Sequence, residues 1–333
     1  MNPSTQSLES LQLSVIIITS DNYNSIRKTI SYLQKQTIQN QIELVIVAPS
    51  VATLDLDTSD LTNFFSYQVI EVGTIVSMGS SYATGVRNAK AEIVALAEDH
   101  CFPDVDWAEQ LIQAHQNTYA AVGPALLNAN PSTAVSWADM LMAYGKWMHP
   151  AISQTVNFLP GHNSSYKKDI LVSYGDRLEE MLESETILHW DLQSQGYELY
   201  LEAKAKTAHT NFARLLPWLP IQFRAGRVFA ASRAEVECWS WIKRLIYVSA
   251  SPLIPVVRTV RILQALNQGE RKQIQMAWGT LPLTILGLIA DGLGQMLGYA
   301  LGHGKTLKQY ADAEFHRELH LAESDRENLN VSL

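Results

Sequence analysis

LSVIIIT (residues 13–19), SIRKTISYLQKQ (25–36) and ELVIV (43–47) follow one another near the N-terminus, and their order decides the fold. The first and third are short runs rich in β-branched residues, which is the composition of strands. Between them Ile26, Ile30 and Leu33 recur at helical spacing, so the middle stretch reads as a helix with one apolar face. Strand, helix, strand makes a β-α-β unit, because parallel neighbours need a long connection that a helix supplies.

The alternation continues with a strand expected at 67–72, a helix at 80–89 and a fourth strand at Ile93–Ala97. This predicts an α/β domain with a mostly parallel sheet flanked by helices. In such sheets ligands bind beyond the carboxyl ends of the strands. The turn after Thr19 and the triplet Glu98, Asp99, His100 are therefore expected to meet in one crevice. Further helices are expected at Trp107–His115 and at 134–147, where the aromatic stripe reads as core packing.

With 333 residues, 47% of them apolar, the chain can bury a full core and still supply a second structural region. The net charge of -8 argues against a nucleic-acid partner, since phosphate neutralisation needs surplus Lys and Arg. That charge is uneven: between Gln222 and Gln275 nine Lys or Arg stand against three Asp or Glu. Mixed with Trp239, Trp241 and Tyr247, these cations suit an anionic membrane surface. Cys101 and Cys238 lie far apart without metal or redox spacing, which fits a reduced, cytosol-facing environment. The opening MNPSTQSLES has no basic start, and Val15 to Ile18 is too short for a signal core, so export is not expected.

From Pro217 onward prolines punctuate apolar helical segments, and a boundary is expected near 211–216. This divides the chain into an extension (1–12), the α/β domain (13–212), a hydrophobic helical membrane-associated region (213–302) and a polar tail (303–333), helical at first. Residues 276–302 are long enough to span a bilayer, yet they contain Pro282 and Asp291, and an ionisable group in lipid is costly. A re-entrant or interfacial helical pair is favoured over a true span or a soluble core helix. Gly294, Gly298 and Gly302, every fourth residue, let another helix approach closely, within the chain or across a homo-oligomer interface.

Four segments carry a resemblance: LSVIIITSDNYNSIRKTISYLQKQT (13–37), ATGVRNAKAEIVALAEDHCFPDVDW (83–107), FLPGHNSSYKKDIL (158–171) and SETILHWDLQSQGYELYLEAKAKTAH (184–209). In this order and spacing, residues 13–212 resemble membrane-associated bacterial family 2 glycosyltransferases. The resemblance implies the GT-A fold, a Rossmann-like sheet flanked by helices. It also implies transfer of one sugar, a hexose, from a UDP- or GDP-sugar to an acceptor hydroxyl. The acceptor is expected to be lipid-linked or part of the cell envelope, at the cytoplasmic face of a membrane.

The second segment ends in what resembles the family's metal motif, here Glu-x-His. Residues two apart on an extended segment point the same way, so Glu98 and His100 are carried over as ligands of one divalent cation, Mn2+ or Mg2+. His209 resembles the distal histidine of such a site. Such a cation offsets charge on a departing diphosphate. Asp99, Thr19 and Asp21 are carried over as donor-binding residues, and Gly161, His162 and Asn163 as the acceptor loop.

Relatives place an acidic pair twelve residues before the glycine of a Gly-Tyr turn, and counting back from Gly196 puts Ser184 and Glu185 there. Glu185 is thereby implied as the base that takes the acceptor's proton, with Glu183 as the rival if the segment carries an insertion. The acidic residue after strand two is absent at Val47, Ala48, Pro49, and Tyr82 and Ala83 replace the usual Arg-Asn pair. Uracil and guanine are therefore not distinguished. The Gln-x-x-Arg-Trp motif of processive synthases does not follow, which implies single addition, and one carboxylate base implies inversion. The departures at Ser184, Ala48 and Tyr82 keep an alternative open, a catalytically weak nucleotide-sugar-binding or scaffold protein of a membrane glycan-assembly complex.

Overall fold

The computed structural model describes residues 10–267 and 275–329. The opening 1–9, the basic pair Arg271 and Lys272, and the tail's last residues 330–333 lie outside the described residues.

Strands β1 (Leu13–Ile18) and β2 (Ile42–Ala48) are buried along their whole length, as near-continuous apolar runs require inside a parallel sheet. Helix α1 (Tyr23–Leu33) joins them, with Asn22 capping its start and Ile26, Ile30 and Leu33 on its buried face. A single turn, α2 (Val51–Leu54), precedes β3 (Ser66–Glu71). Helix α3 (Met78–Asn88) then crosses to β4 (Ile93–Ala97), which pairs with β1 in parallel. In the order β3, β2, β1, β4 these strands form a parallel half-sheet.

Beyond β4 the sheet is mixed. It takes up β5 (Cys101–Pro103), β6 (Ala121–Asn128), β7 (Gln154–Val156), β8 (Ser165–Lys167) and β9 (Leu199–His209). Strand β8 runs antiparallel between β4 and β6, β6 runs parallel to β9, and β5 and β7 pair antiparallel with β9. Between these strands lie α4 (Trp107–His115), α5 (Ala134–Tyr144), α6 (Lys168–Val172), α7 (Leu178–Glu183) and α8 (Glu185–Ser194). Helices α1 and α4 cover one face of the sheet through Ile26, Ile30, Trp107 and Leu111. The other face is covered by α3, α7 and α8 through Tyr82, Val86, Met181 and Leu188. Each such side chain contributes about 1.5–3 kcal/mol of transfer free energy, and this double layer fixes the strand ends that carry the crevice.

Sequence reading missed β6, whose Gly123 and Pro124 imitate a loop. Strand β9 runs unbroken from Leu199 to His209, with Ala205, Thr207 and His209 turned inward. The result is positional: Cys101 of β5 stands opposite His209 of β9.

The C-terminal third is helical: α9 (Leu215–Val236), α10 (Trp241–Ala250), α11 (Ile254–Asn267), α12 (Gln275–Leu301), α13 (Thr306–Phe315) and α14 (Glu323–Leu329). Pro217 falls in the first turn of α9, where its missing N–H leaves no bond unmade. Helix α12 meets α9 so closely that a Cβ on Gly294 would lie 1.9 Å from the Phe223 carbonyl oxygen. A Cβ on Gly298 would lie 2.4 Å from that of Arg227. The four-residue glycine spacing thus serves packing within the chain. Buried Asp291 is paired with Arg258 at 2.7 Å and accepts from Gln295 at 2.9 Å, which offsets its desolvation.

Trp241–Gln264 and Gly279–Leu301 are each long and apolar enough to cross a membrane, the first almost wholly exposed and the second about half buried. Helices α13 and α14 return to the α/β domain. There His316 lies 3.1 Å from Asp21, and Arg317 stacks on Phe212 at 4.1 Å.

Candidate active site

Strand β4 ends at Ala97 and delivers Glu98, Asp99 and His100 into the turn before β5. Strand β9 brings His209 beside Cys101 from the opposite direction. The residues before β8 complete the group, because Asn163 donates its backbone N–H to the Leu96 carbonyl and so lies level with Glu98. Asn163 holds a left-handed φ of 76°, a conformation that Asn tolerates better than most residues. Its amide Nδ2 donates to Glu98 Oε2 at 3.0 Å.

Glu98, His100, Cys101 and His209 each offer a ligand atom, and these atoms all lie within 4.8 Å of one another. The Nε2 atoms of His100 and His209 are each 3.5 Å from Glu98 Oε2. Each imidazole is oriented through its other nitrogen: His100 donates Nδ1–H to Asp99 Oδ1 at 2.6 Å, and His209 donates to Asn211 Oδ1 at 3.1 Å. That arrangement fixes which nitrogen of each ring faces Glu98, as in metal-binding histidines whose tautomer a partner sets, and at His209 the Tyr144 hydroxyl lies 3.0 Å from the same Nε2. His100 Nε2 is buried without a hydrogen-bond partner, and such an atom is costly unless something fills the gap.

Electrostatics agree with that donor set. Burial would raise the Glu98 pKa, but the charge on His100 and contacts from His162 and His209 outweigh it and hold the carboxyl well below its usual range. Burial lowers His209 to about 4, leaving a neutral imidazole. Burial and neighbouring Glu98 push Cys101 up, so its sulfur stays a thiol that donates to Glu98 Oε2 at 3.1 Å. One carboxylate and two imidazole nitrogens form a donor set that suits a borderline divalent ion. A cation bonded at about 2.1 Å to adjacent donors needs them about 3 Å apart, close to the spacing present.

Glu185 opens α8, where the helix N-terminus favours negative charge. It reaches the same crevice through His162, whose Nδ1 lies 2.9 Å from Glu98 Oε1 and whose Nε2 lies 2.5 Å from Glu185 Oε1. Burial opposes a charge on this ring, but Glu185 and Glu98 together raise its pKa well above the ordinary histidine value. Gly161 sits directly under Glu185, since a Cβ there would lie 2.8 Å from its Oε2. Tyr82, which with Ala83 stands where the resemblance implies an Arg-Asn pair, stacks on His162 with ring centroids 5.0 Å apart and donates its hydroxyl to the Ala97 carbonyl.

The structure brings Glu98, His100, His209, Gly161, His162, Asn163 and Glu185 into one constellation. It separates others from it. Thr19 is buried, with its hydroxyl 2.7 Å from that of Ser25, so it organises the turn after β1. Asp21 is half exposed and paired with His316. Asp99 is engaged by His100, with its backbone carbonyl accepting from Thr29 at 2.7 Å. Glu183, the rival base, accepts from Ser77 and from the Gly79 amide at the start of α3, so it caps a helix. Tyr144, whose hydroxyl is 3.0 Å from His209 Nε2, went unforeseen because its partner is 65 residues away. The tail residues Glu314 and Arg317 were likewise invisible, since no local pattern links them to β4.

Glu98 and His162 line one end of a cavity of about 730 Å³. Its walls continue past Thr186 and Tyr144 to Tyr247, Ile254 and Arg258 of the C-terminal helices. Tyr310, Glu314 and Arg317 close another side. Asp139 Oδ2 lies 3.5 Å from Arg317 Nη1 and ties that wall to α5.

Residues 14–175 match the model of Glycosyl transferase family 2, and that stretch is a family 2 glycosyltransferase domain. No curated protein sequence matches the chain. Among solved structures, it is similar to the mannosyltransferase PcManGT from Pyrobaculum calidifontis in complex with GDP-Man and Mn2+. That likeness has 14% identity and a TM-score of 0.54, covering 85% of this chain and 86% of the other, and it shows a shared GT-A fold. It is also similar to GalNAc-T7 solved with UDP, GalNAc and Mn2+, at 11% identity and a TM-score of 0.46. There 60% of this chain spans 44% of the other.

Proposed function

We propose that this family 2 glycosyltransferase domain moves one hexosyl unit from a UDP- or GDP-sugar to the hydroxyl of a lipid-linked acceptor at the cytoplasmic face of a membrane. The observation that carries the reading is the single imidazole of His162, which touches Glu98 on one side and Glu185 on the other. The cation-binding half and the proton-accepting half of a transfer reaction therefore share one crevice. Glu98, His100 and His209 would hold the divalent cation, which would supply positive charge to the donor diphosphate. The solved mannosyltransferase in complex with GDP-Man and Mn2+ supports this assignment of donor and cation.

Glu185 takes the proton of the acceptor hydroxyl as that oxygen bonds to the anomeric carbon. The bond from that carbon to the diphosphate oxygen breaks, and nucleoside diphosphate leaves. One displacement with one carboxylate base inverts the anomeric centre. His162, charged and fixed between the acids, orients Glu185. Asp99 orients His100, while Thr19 and Asp21 shape the donor side behind β1. The exposed apolar helices α10 and α11 rest on the membrane, which places acceptor delivery on their side of the cavity.

Nucleotide release is measured from a panel of UDP- and GDP-sugars with Mn2+ for the parent, Glu185→Gln and His100→Ala. Turnover lost in both variants, with donor binding kept in Glu185→Gln, supports the enzyme. No release from any donor favours the scaffold alternative. Flotation with anionic vesicles tests the membrane part, and a protein that stays in the aqueous fraction without detergent sinks it.

A further inference from the structure

The helical end of the cavity carries a cluster of positive charge that sugar transfer at Glu98 and Glu185 does not use. Lys146, just beyond α5, and Arg258 and Arg261 of α11 all line it. Arg258 is held by Asp291 at 2.7 Å and by the Met142 carbonyl at 3.0 Å. Arg261 follows three residues later, and residues three apart share a helix face. The Lys146 ammonium lies over the Phe158 ring, 4.3 Å from its centroid. Among the described residues, neither Lys146 nor Arg261 has an ion-pair partner. The charges act on one another: burial lowers the Lys146 pKa, and Arg261 and Arg258 lower it further. Like charges gathered in one cavity repel, and an anion between them relieves that repulsion.

The surface beside the cluster is apolar. Trp241, Ile242, Leu245, Ile246, Leu253 and Val256 of the segment from α10 to α11 are each more than half exposed. A patch of this kind marks a membrane or ligand surface. Ile254 and Val257 continue the apolar lining into the cavity. A ligand that suits both the charge and the apolar surface, and that serves Glu185, has an apolar chain, an anionic group at its head and a hydroxyl beyond it.

We propose that Lys146, Arg258 and Arg261 bind the phosphate of a phosphate-linked lipid acceptor, whose chain lies along α10 and α11 and whose hydroxyl end points to Glu185. This rests on the reading that the acceptor enters from the helical side, and it adds the chemistry of the link. Arg258 is the fixed member of the site, and Lys146 and Arg261 supply charge that no described residue pairs.

The test uses the full chain and three probes below micellar concentration: dodecyl phosphate, dodecanol and inorganic phosphate. Affinity is measured by thermal shift for the parent and for Lys146→Ala/Arg261→Ala, with Lys305→Ala/Lys308→Ala as a charge-matched control. Dodecyl phosphate is expected to bind at least tenfold tighter than dodecanol or inorganic phosphate. That preference is expected to vanish in Lys146→Ala/Arg261→Ala and to persist in the control. Equal affinity for dodecyl phosphate and dodecanol, an unchanged preference in the double variant, or binding that inorganic phosphate fully reproduces overturns the proposal. The same samples are titrated with UDP and GDP plus Mn2+. Nucleotide stabilisation without a phosphate preference leaves the transferase reading intact and removes this one, whereas loss of both removes the transferase reading as well.

Discussion

Glu98 and Glu185 are joined through one imidazole, with His162 Nδ1 2.9 Å from Glu98 and Nε2 2.5 Å from Glu185. The carboxylate directly after β4 and the carboxylate at the start of α8 are therefore positioned as a unit, although 87 positions separate them in the sequence.

The space under Glu185 makes the first prediction. Gly161→Ala would put a Cβ 2.8 Å from Glu185 Oε2. The atom it meets is the far end of a flexible side chain, so the fold survives while the carboxylate turns away. Because a displacement near 1 Å costs about 100-fold in rate, kcat is expected to fall by about that factor. Donor affinity and Tm should stay within error of the parent. Steady-state kinetics beside a melting curve check this, and an unchanged kcat would show that Glu185 is not the base.

Asp99 provides the second. The sequence reading turned it toward the donor, but its carboxylate accepts from His100 Nδ1 at 2.6 Å, so its effect is expected on the cation. Asp99→Asn should weaken Mn2+ binding about 10–100-fold, the usual cost of losing an outer partner of a metal-binding histidine. Nucleotide binding in EDTA should be unaltered. Isothermal titration with Mn2+ and then with UDP or GDP separates these effects, and a loss confined to the nucleotide would return Asp99 to the donor.

What the sequence made legible was local. The alternation of 13–19, 25–36 and 43–47 placed the parallel half-sheet because burial on both faces writes itself into continuous apolar runs. The triplet Glu98 to His100 was visible because it directly follows such a run. The wall from Tyr310 to Arg317 was not, since it depends on the chain returning across the sheet from about 100 residues beyond β9. Thr19 came to the donor side through the resemblance, and the structure adds that its hydroxyl lies 2.7 Å from that of Ser25. Tyr82 reads as a departure from the family pattern, and only the stack on His162 gives it a part.

Helix packing gives a third prediction through two glycines of α12. At Gly298 a Cβ would meet the Arg227 carbonyl oxygen at 2.4 Å and Ala230 Cβ at 2.9 Å. The nearer atom belongs to a helix backbone and cannot yield alone. Gly298→Ala should destabilise by about 1–3 kcal/mol, the range for overpacked sites. Gly279 has nothing within 4 Å of a built Cβ, so Gly279→Ala should stabilise by about 1 kcal/mol through helix propensity. Opposite shifts in urea midpoint are expected. Equal shifts would mean that α12 does not pack on α9 as described.

Acid sensitivity should come partly from His189, which is fully buried with Nε2 2.9 Å from the Tyr166 hydroxyl and Nδ1 accepting from the Leu159 amide. Burial lowers its pKa to about 4, against a smaller raising effect of Glu185. A histidine depressed in the folded state binds its proton more readily when unfolded, so stability rises with pH across the interval between the two values. The contribution is complete above about 6.5 and is lost as pH falls toward about 4, below which both states are protonated. At about 1.4 kcal/mol per pH unit, the loss from this group amounts to about 3 kcal/mol. His189→Asn keeps a polar side chain without the titration, so it should be less stable at pH 7 yet lose less on acidification. Urea unfolding of both proteins between pH 7 and 4 measures the difference in slope. Parallel curves would mean that His189 is already charged in the folded protein.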